Sequence, residues 1–184
     1  MNHLRAPFEV EGPRLRLRLV SPEDATYIHG LRIDPAYNTH LSSVTGSAED
    51  QRRWIEAYKA REAAGDEYYY VIERRDNGQR CGVVRLYDIK VDQFTWGSWI
   101  LDANKPPKAA LESAFLLYEI GFGDLGLNRA VFDVRSDNEH TQAFHRRLGA
   151  TETGSDDVNL YFVYPRARHE ADRERHIAVL EGKE

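Results

Sequence analysis

The stretch WILDANKPPKAALESAFLLYEIGFGDLGLNRAVFDVRSDNEHTQAFHRRLGA, Trp99 to Ala150, sets the order of elements that decides the fold. Two prolines sit between two lysines where an apolar segment begins. Proline suits a first helical turn because its φ is already helical and its missing N–H would have had no partner there. Pro106 and Pro107 therefore predict a helix from about Pro107 to Gly123. A first turn also carries free amide hydrogens and the positive end of the dipole, and Lys105 and Lys108 add cationic side chains, a combination suited to an anion. A plainer reading stays open: the prolines only start a core helix and the lysines are solvated. NRAVFDVR then reads as a strand. SDNEHTQAFHRRLGA reads as a helix capped by Ser136 or Asp137, with Ala143, Phe144 and Leu148 facing inward and Gly149 ending it.

Working outward, RLRLRLV (Arg14 to Val20) alternates charged and apolar residues, the period of a strand with one buried face. Ser21, Pro22 and Asp24 mark a helix start and predict a helix to about Asp34. Ser47 and Asp50 repeat the signal for a second helix to about Glu62, with Trp54, Ile55 and Tyr58 at helical spacing. Between them, DPAYNTHLSSVTG is a polar loop rich in hydroxyl groups. Tyr68 to Glu73, Cys81 to Ile89 and Phe94 to Leu101 read as an antiparallel meander, the first turn being Asp76-Asn77-Gly78. Thr151 to Thr153 and Val158 to Tyr164 read as two last strands, and PRARHEADRERHIAVLEGKE as a charged, amphipathic terminal helix.

At 184 residues, 41% hydrophobic and 30% charged, the chain is long enough to bury a substantial core, and one α/β unit with a short N-terminal arm (1–12) is the economical expectation. The single Cys81 excludes an internal disulfide and the spacing of a zinc site, so no metal is expected and a reducing setting is natural. The opening MNHLRAPFEVEG has no signal-peptide apolar centre, and no run approaches the ~20 apolar residues of a membrane span. A cytoplasmic protein without a membrane partner is expected. A formal charge of −5 argues against general affinity for nucleic acid. Ten tyrosines and three tryptophans leave room for a homodimer surface.

The order strand, two helices, antiparallel meander, helix, strand, helix and strand pair resembles the GNAT acetyltransferases, which use acetyl-coenzyme A. The resemblance runs from about Arg14 to Tyr164 and is most specific over Trp99 to Ala150. It implies an α/β (α+β) fold with a mixed, mostly antiparallel sheet of about six or seven strands, flanked by helices and splayed at a central strand pair. The family's pyrophosphate loop, Q/R-x-x-G-x-G/A, falls here on Lys105, Lys108 and Ala110. Pro107 removes an amide and Lys108 replaces a glycine, so the amides near Lys108, Ala109 and Ala110, with the two ammonium groups, are expected to compensate. The backbone of Ile100 and Leu101 is implied to meet the thioester arm and its carbonyl.

The resemblance further implies that Asn138 and His145 meet the pantetheine arm. His145 stands where relatives often have a tyrosine that protonates the leaving thiolate. An imidazole with a pKa near ~6.5 is able to do the same. Both residues also have ordinary readings, a helix-start side chain and a packed histidine. Arg146 and Arg147 are implied to approach the coenzyme's outer phosphate.

Transfer of acetyl directly to an amine needs a base. Trp96 occupies the position where many relatives place a glutamate, leaving Asp88 and His40 as the substitutes expected from topology. For the acceptor, Trp96 and Trp99 are read as sharing one strand face with Tyr87 beside them, an aromatic floor, and Asn38, His40, Ser42 and Ser43 as polar contacts. Core packing explains the tryptophans equally well. LRIDPAYNTHLSS and FHRRLGA are similar to acetyltransferases acting on nucleotide-linked amino sugars, including the pseudaminic-acid type, and the chain is also similar to RimJ and RimL ribosomal-protein acetyltransferases. A small-molecule amine, an amino sugar above all, is the expected acceptor. A protein N-terminus is the alternative, and a non-catalytic acyl-coenzyme-binding module the second.

Overall fold

The computed structural model of the protein describes residues 4–40 and 46–183. Its centre is an eight-stranded sheet in the order β1-β2-β3-β4-β5-β6-β8-β7. The strands are β1 (Glu9–Glu11), β2 (Leu15–Leu19), β3 (Tyr68–Arg74), β4 (Arg80–Tyr87), β5 (Gln93–Leu101), β6 (Arg129–Arg135), β7 (Thr151–Ser155) and β8 (Asn159–Pro165). The eighth strand beyond the expected six or seven is β1, in the N-terminal arm, which pairs antiparallel with β2 through Val10 and Leu17. Every neighbouring pair is antiparallel except β5 and β6, which run parallel.

Among the described residues six α-helices flank the sheet: α1 (Ala25–Ile33), α2 (Pro35–Asn38), α3 (Ala48–Ala64), α4 (Ala109–Tyr118), α5 (Glu139–Leu148) and α6 (Arg166–Leu180). Ser21 and Asp24 form the expected capping box, but the first turn, Pro22–Asp24, is a 3-10 turn before α1. Asp24 also accepts two hydrogen bonds from Arg18 at 2.8 Å each, which ties this helix entry to β2. The loop expected after α1 contains α2, capped by Asp34, whose side chain accepts from Ala36 N–H. At α3, Ser47 and Asp50 form the second capping box, and Gly65, in the left-handed region, ends the helix.

Alternation places side chains on opposite faces of the sheet. Tyr69, Val71, Val83 and Ile100 meet Ile28 and Leu31 of α1 and Ile55 and Tyr58 of α3. On the other face Leu86, Phe94 and Trp96 meet Ala114 and Leu117 of α4, Leu148 of α5 and Leu180 of α6. Each fully buried large apolar side chain contributes ~1.5–3 kcal/mol. A separate apolar cluster thus holds the helices on each face of the sheet.

Two helix starts differ from the sequence-based expectation. α4 begins at Ala109, and Pro106 and Pro107 belong to the loop before it. A residue that precedes proline is disfavoured in the helical region, which applies to Lys105 and Pro106, and Lys108 then turns left-handed with φ 64°. The proline pair stiffens the loop instead of opening the helix. α5 is capped by Asn138, not by Ser136 or Asp137, and its buried face is Gln142, His145 and Leu148. Gln142 Nε2 donates to the carbonyls of Arg135 and Ser136, so a polar residue holds the helix start inward, while Phe144, expected inward, packs half-buried against the core.

Candidate active site

The site begins with one extra residue in β5. Val83 and Arg85 on β4 face Ile100 and Gly97 on β5, so two steps along one strand match three along the other. That is a β-bulge, and Ser98 absorbs it with φ 48°. On its other side β5 pairs with β6 only at Gln93, Phe94 and Thr95. Beyond Thr95 the two parallel strands part, leaving the outer edge of Gly97 to Leu101 without a strand neighbour. A cavity of about 410 Å³ fills the parting.

One wall of this cavity is aromatic. Trp96, Trp99, Phe132 and His145 converge, with ring centroids of Trp96 and Trp99 5.2 Å apart and of Phe132 and His145 4.3 Å apart. In a regular strand Trp96 and Trp99 would point to opposite faces, and only the bulge at Ser98 brings them together. Tyr87 is not part of this surface. It pairs with Thr95 while Leu86 pairs with Trp96, which sets Tyr87 on the opposite face. The single aromatic floor expected from Trp96, Trp99 and Tyr87 is therefore two surfaces on either side of the parting. Trp96 is 3% exposed among Tyr118, Phe132 and His145, a packing position, and Trp99 Nε1 donates to Ser113 Oγ.

His145 lies at the bottom of that wall, 3% exposed, and burial pushes its pKa down to about 3. The imidazole is neutral at any physiological pH, so the expected proton return to a thiolate, which needs a pKa near neutrality, is not available to it. A neutral ring still offers one N–H, and its Nδ1 has no partner among the described residues. Asn138 also lines the cavity while its Oδ1 accepts from Thr141 N–H at 3.3 Å, leaving the amide nitrogen free of that bond.

The opposite wall comes from α1, α2, β3 and β4. Arg32, Tyr37, His40, Tyr69, Arg85 and Tyr87 line it. His40 Nδ1 lies 3.0 Å from Asp137 Oδ1, joining the end of the α2 loop to the β6–α5 turn across the mouth. Sequence reasoning named His40 and missed its partner, which stands 97 residues away with no pattern linking the two. Asp88, with φ 50°, sits in the turn after β4 and is not among the lining residues, as befits a turn carboxylate. Asn38 belongs to α2 and does not line the cavity either. Ser42 and Ser43 lie outside the described residues.

A feature common to both walls is unsatisfied polarity. Arg32 Nε, Tyr69 Oη, Arg85 Nε, Trp96 Nε1, His145 Nδ1 and Asn159 Oδ1 are buried without a hydrogen-bond partner among the described residues, and all belong to cavity-lining residues. Native interiors seldom leave such groups unpaired, because each costs ~1–3 kcal/mol. Grouped at one cavity they describe a polar binding surface.

The model of the Acetyltransferase (GNAT) domain family matches residues 14–151. The chain belongs to the GNAT acetyltransferases. Among solved structures, this GNAT chain is similar to apo FdhC, described as a nucleotide-linked sugar GNAT, at 39% identity and TM-score 0.86, covering 92% of this chain and 96% of that one. A GCN5-related N-acetyltransferase from Brucella melitensis shares the fold at 16% identity and TM-score 0.76, over 97% of this chain and 90% of that one. A ribosomal-protein alanine acetyltransferase from Vibrio fischeri shares it at 13% identity and TM-score 0.71, over 86% and 97%. No match was found among curated protein sequences. GNAT enzymes take acetyl-coenzyme A, and no helix among the described residues is long and apolar enough to cross a membrane.

The start of α4 can be tested for fit to the phosphates of that GNAT co-substrate. Lys108 stands where the family's loop has glycine and adopts the left-handed conformation glycine would supply. The first intrahelical bond runs from Glu112 N–H to the carbonyl of Lys108, so the N–H groups of Ala109 and Ala110 lie in the unpaired first turn. The backbone fits an anion. The side chains depart from expectation: Lys108 Nζ donates to the carbonyl of Val179 at the end of α6, which turns its ammonium away, and Lys105 is exposed in the loop. Of the backbone expected along the thioester arm, Ile100 lines the cavity and Leu101 does not.

Proposed function

We propose that this GNAT chain transfers acetyl from acetyl-coenzyme A to the primary amine of a nucleotide-linked sugar. The observation that carries the reading is the two-walled cavity in the β5–β6 parting, with the aromatic wall on one side and a hydrogen-bonded His40–Asp137 pair on the other. The 39% identity to a nucleotide-linked sugar GNAT supports the acceptor class, whereas the ribosomal-protein acetyltransferase resembles this chain in fold alone.

Acetyl-coenzyme A supplies an acyl carbon activated by its thioester. Asp137 accepting from Nδ1–H holds His40 in the tautomer whose Nε2 lone pair is free, and that lone pair takes the proton from the attacking amine. Free N–H groups on the outer edge of β5 hold the carbonyl oxygen as its charge grows. As the carbon–sulfur bond breaks, the neutral His145 N–H stabilises the sulfur by a hydrogen bond, and the sulfur's proton comes from solvent. Asn138, Ala109 and Ala110 hold the rest of the co-substrate.

A thiol-release screen tests this reading. Nucleotide-diphosphate-linked amino sugars should be turned over, with free amino sugars, polyamines and N-terminal peptides far behind. Silence with every sugar amine, despite measured acetyl-coenzyme A binding, would overturn it, as would preferential turnover of the peptides.

A further inference from the structure

The acceptor-side wall holds more positive charge than its structure needs. Arg32 leaves the last turn of α1 and takes part in no ion pair among the described residues, and its Nε is buried without a partner. Arg85, on β4 and 22% exposed at its side chain, has Glu67 3.5 Å from Nη1, but that carboxylate is already bonded to Arg61 Nε. One carboxylate thus serves two guanidinium groups while Arg32 has none. Half-buried charges left this way are costly unless something arrives to pair them.

The geometry around them is pre-arranged. The Arg85 guanidinium lies 4.2 Å from the centroid of the Tyr87 ring and 5.8 Å from that of Trp54, so aromatic faces hold its plane. Between the arginines stands Tyr69, 1% exposed, with its hydroxyl unpartnered. Burial pushes the pKa of that hydroxyl up, against the pull of Arg32 and Arg85, so it remains an O–H donor. The carboxylate at hand is Glu67, shared with Arg61; Asp133 lines the cavity from β6, across the parting, and is exposed.

We propose that Arg32, Arg85 and Tyr69 form a phosphate-binding subsite that grips the diphosphate of the acceptor. Two planar forks and a hydroxyl offer more donors than one carboxylate can accept, whereas a diphosphate presents several acceptor oxygens. The subsite is on the α1–α3 face of the sheet, opposite the α4 start, which separates it from the phosphates of the co-substrate. This inference rests on the nucleotide-linked sugar reading above and assigns the residues that recognise the linker.

The test uses the full chain and calorimetric titration with dTDP and UDP, alongside the matching nucleosides and inorganic pyrophosphate. Both nucleotides should bind the wild type and the nucleosides should not. Arg32→Gln and Arg85→Gln should each weaken dTDP or UDP by ~10–100-fold, the range for a lost charge-assisted hydrogen bond, with Arg85→Lys in between and acetyl-coenzyme A affinity unchanged. That last measurement also shows that the variants are folded. Nucleotide binding that is absent in the wild type, or unaltered in both glutamine variants, overturns the subsite. Failure here is distinguishable from failure of the broader reading. If nucleotide-linked amines are acetylated but KM ignores both arginines, only the subsite is wrong; if N-terminal peptides are the substrates, both are.

Discussion

The two walls of the cavity were built by different rules. The wall we assign to the co-substrate comes from one continuous stretch, β5 to α5, whose caps, turns and strand are local in sequence. The acceptor wall is assembled from α1, the loop after α2, β3 and β4, and closes on Asp137 from the far half of the chain. The first is aromatic and its histidine is neutral; the second is cationic and carries the hydrogen-bonded His40. A site divided in this way can keep its donor half constant while the other half is remade for a new acceptor.

The largest effect that sharpens this contrast is expected at the acceptor wall. His40→Ala should lower kcat by ~100-fold or more, the range of a lost general base, with acetyl-coenzyme A affinity unchanged. Asp137→Asn, which keeps the volume but weakens the hold on Nδ1–H, should cost about tenfold in kcat. Equal turnover in His40→Ala and wild type would remove the catalytic part from this wall.

Next in size is a change on β4 that presses on β5, where the two walls meet. A Cβ built on Gly82 would lie 2.2 Å from the carbonyl oxygen of Ile100, and a backbone atom in a ladder cannot retreat like a flexible side chain. Gly82→Ala should therefore destabilise by ~1–3 kcal/mol in thermal unfolding and reduce binding on both sides together. Loss on one side only would show that the walls are less coupled than the common β5 implies.

The same division explains what was legible in the sequence. Local signals survived folding: the capping boxes at Ser21 and Ser47, the glycine stop at Gly149, and the period-two pattern of β2 were all read and all found. What the sequence concealed depends on distant partners or on backbone bends. β1 is three residues long and alternates too briefly to register. The bulge at Ser98 is marked in the sequence only by the neighbouring Gly97, a single residue inside an otherwise regular strand pattern, yet it decides where Trp99 points. Lys108 hides a left-handed turn behind a lysine, and Arg32, Tyr69 and Arg85 meet only because α1 packs over β3 and β4.

The co-substrate wall makes its own pH prediction. An unfolded histidine binds a proton near pH ~6.5, while folded His145 does not until about 3, so the unfolded chain holds the extra proton between those values. Stability from this residue is complete above pH 6.5 and falls as the pH drops through the window, by ~1.4 kcal/mol per unit. From pH 6.5 to 5 the wild type should lose ~2 kcal/mol that His145→Phe does not lose. His176, also lowered by burial, is present in both proteins and cancels in the comparison. Parallel stability profiles would mean that the imidazole is solvated and able to charge.

The smallest effect is the most direct probe of the α4 start. A non-glycine residue in the left-handed region costs ~1–2 kcal/mol, and Lys108 offsets part of that through its bond to Val179. Lys108→Ala keeps the strained backbone and loses the bond, whereas Lys108→Gly loses the bond and relieves the strain. The glycine variant should therefore be the more stable of the two by ~1 kcal/mol, the reverse of the usual order of these residues. Because the ammonium already faces α6, both variants should bind acetyl-coenzyme A within about threefold of wild type, less than one charge-assisted hydrogen bond. A tenfold loss in both would mean that the lysine leaves Val179 to meet the phosphates, and the donor wall would then depend on its side chains as much as the acceptor wall does.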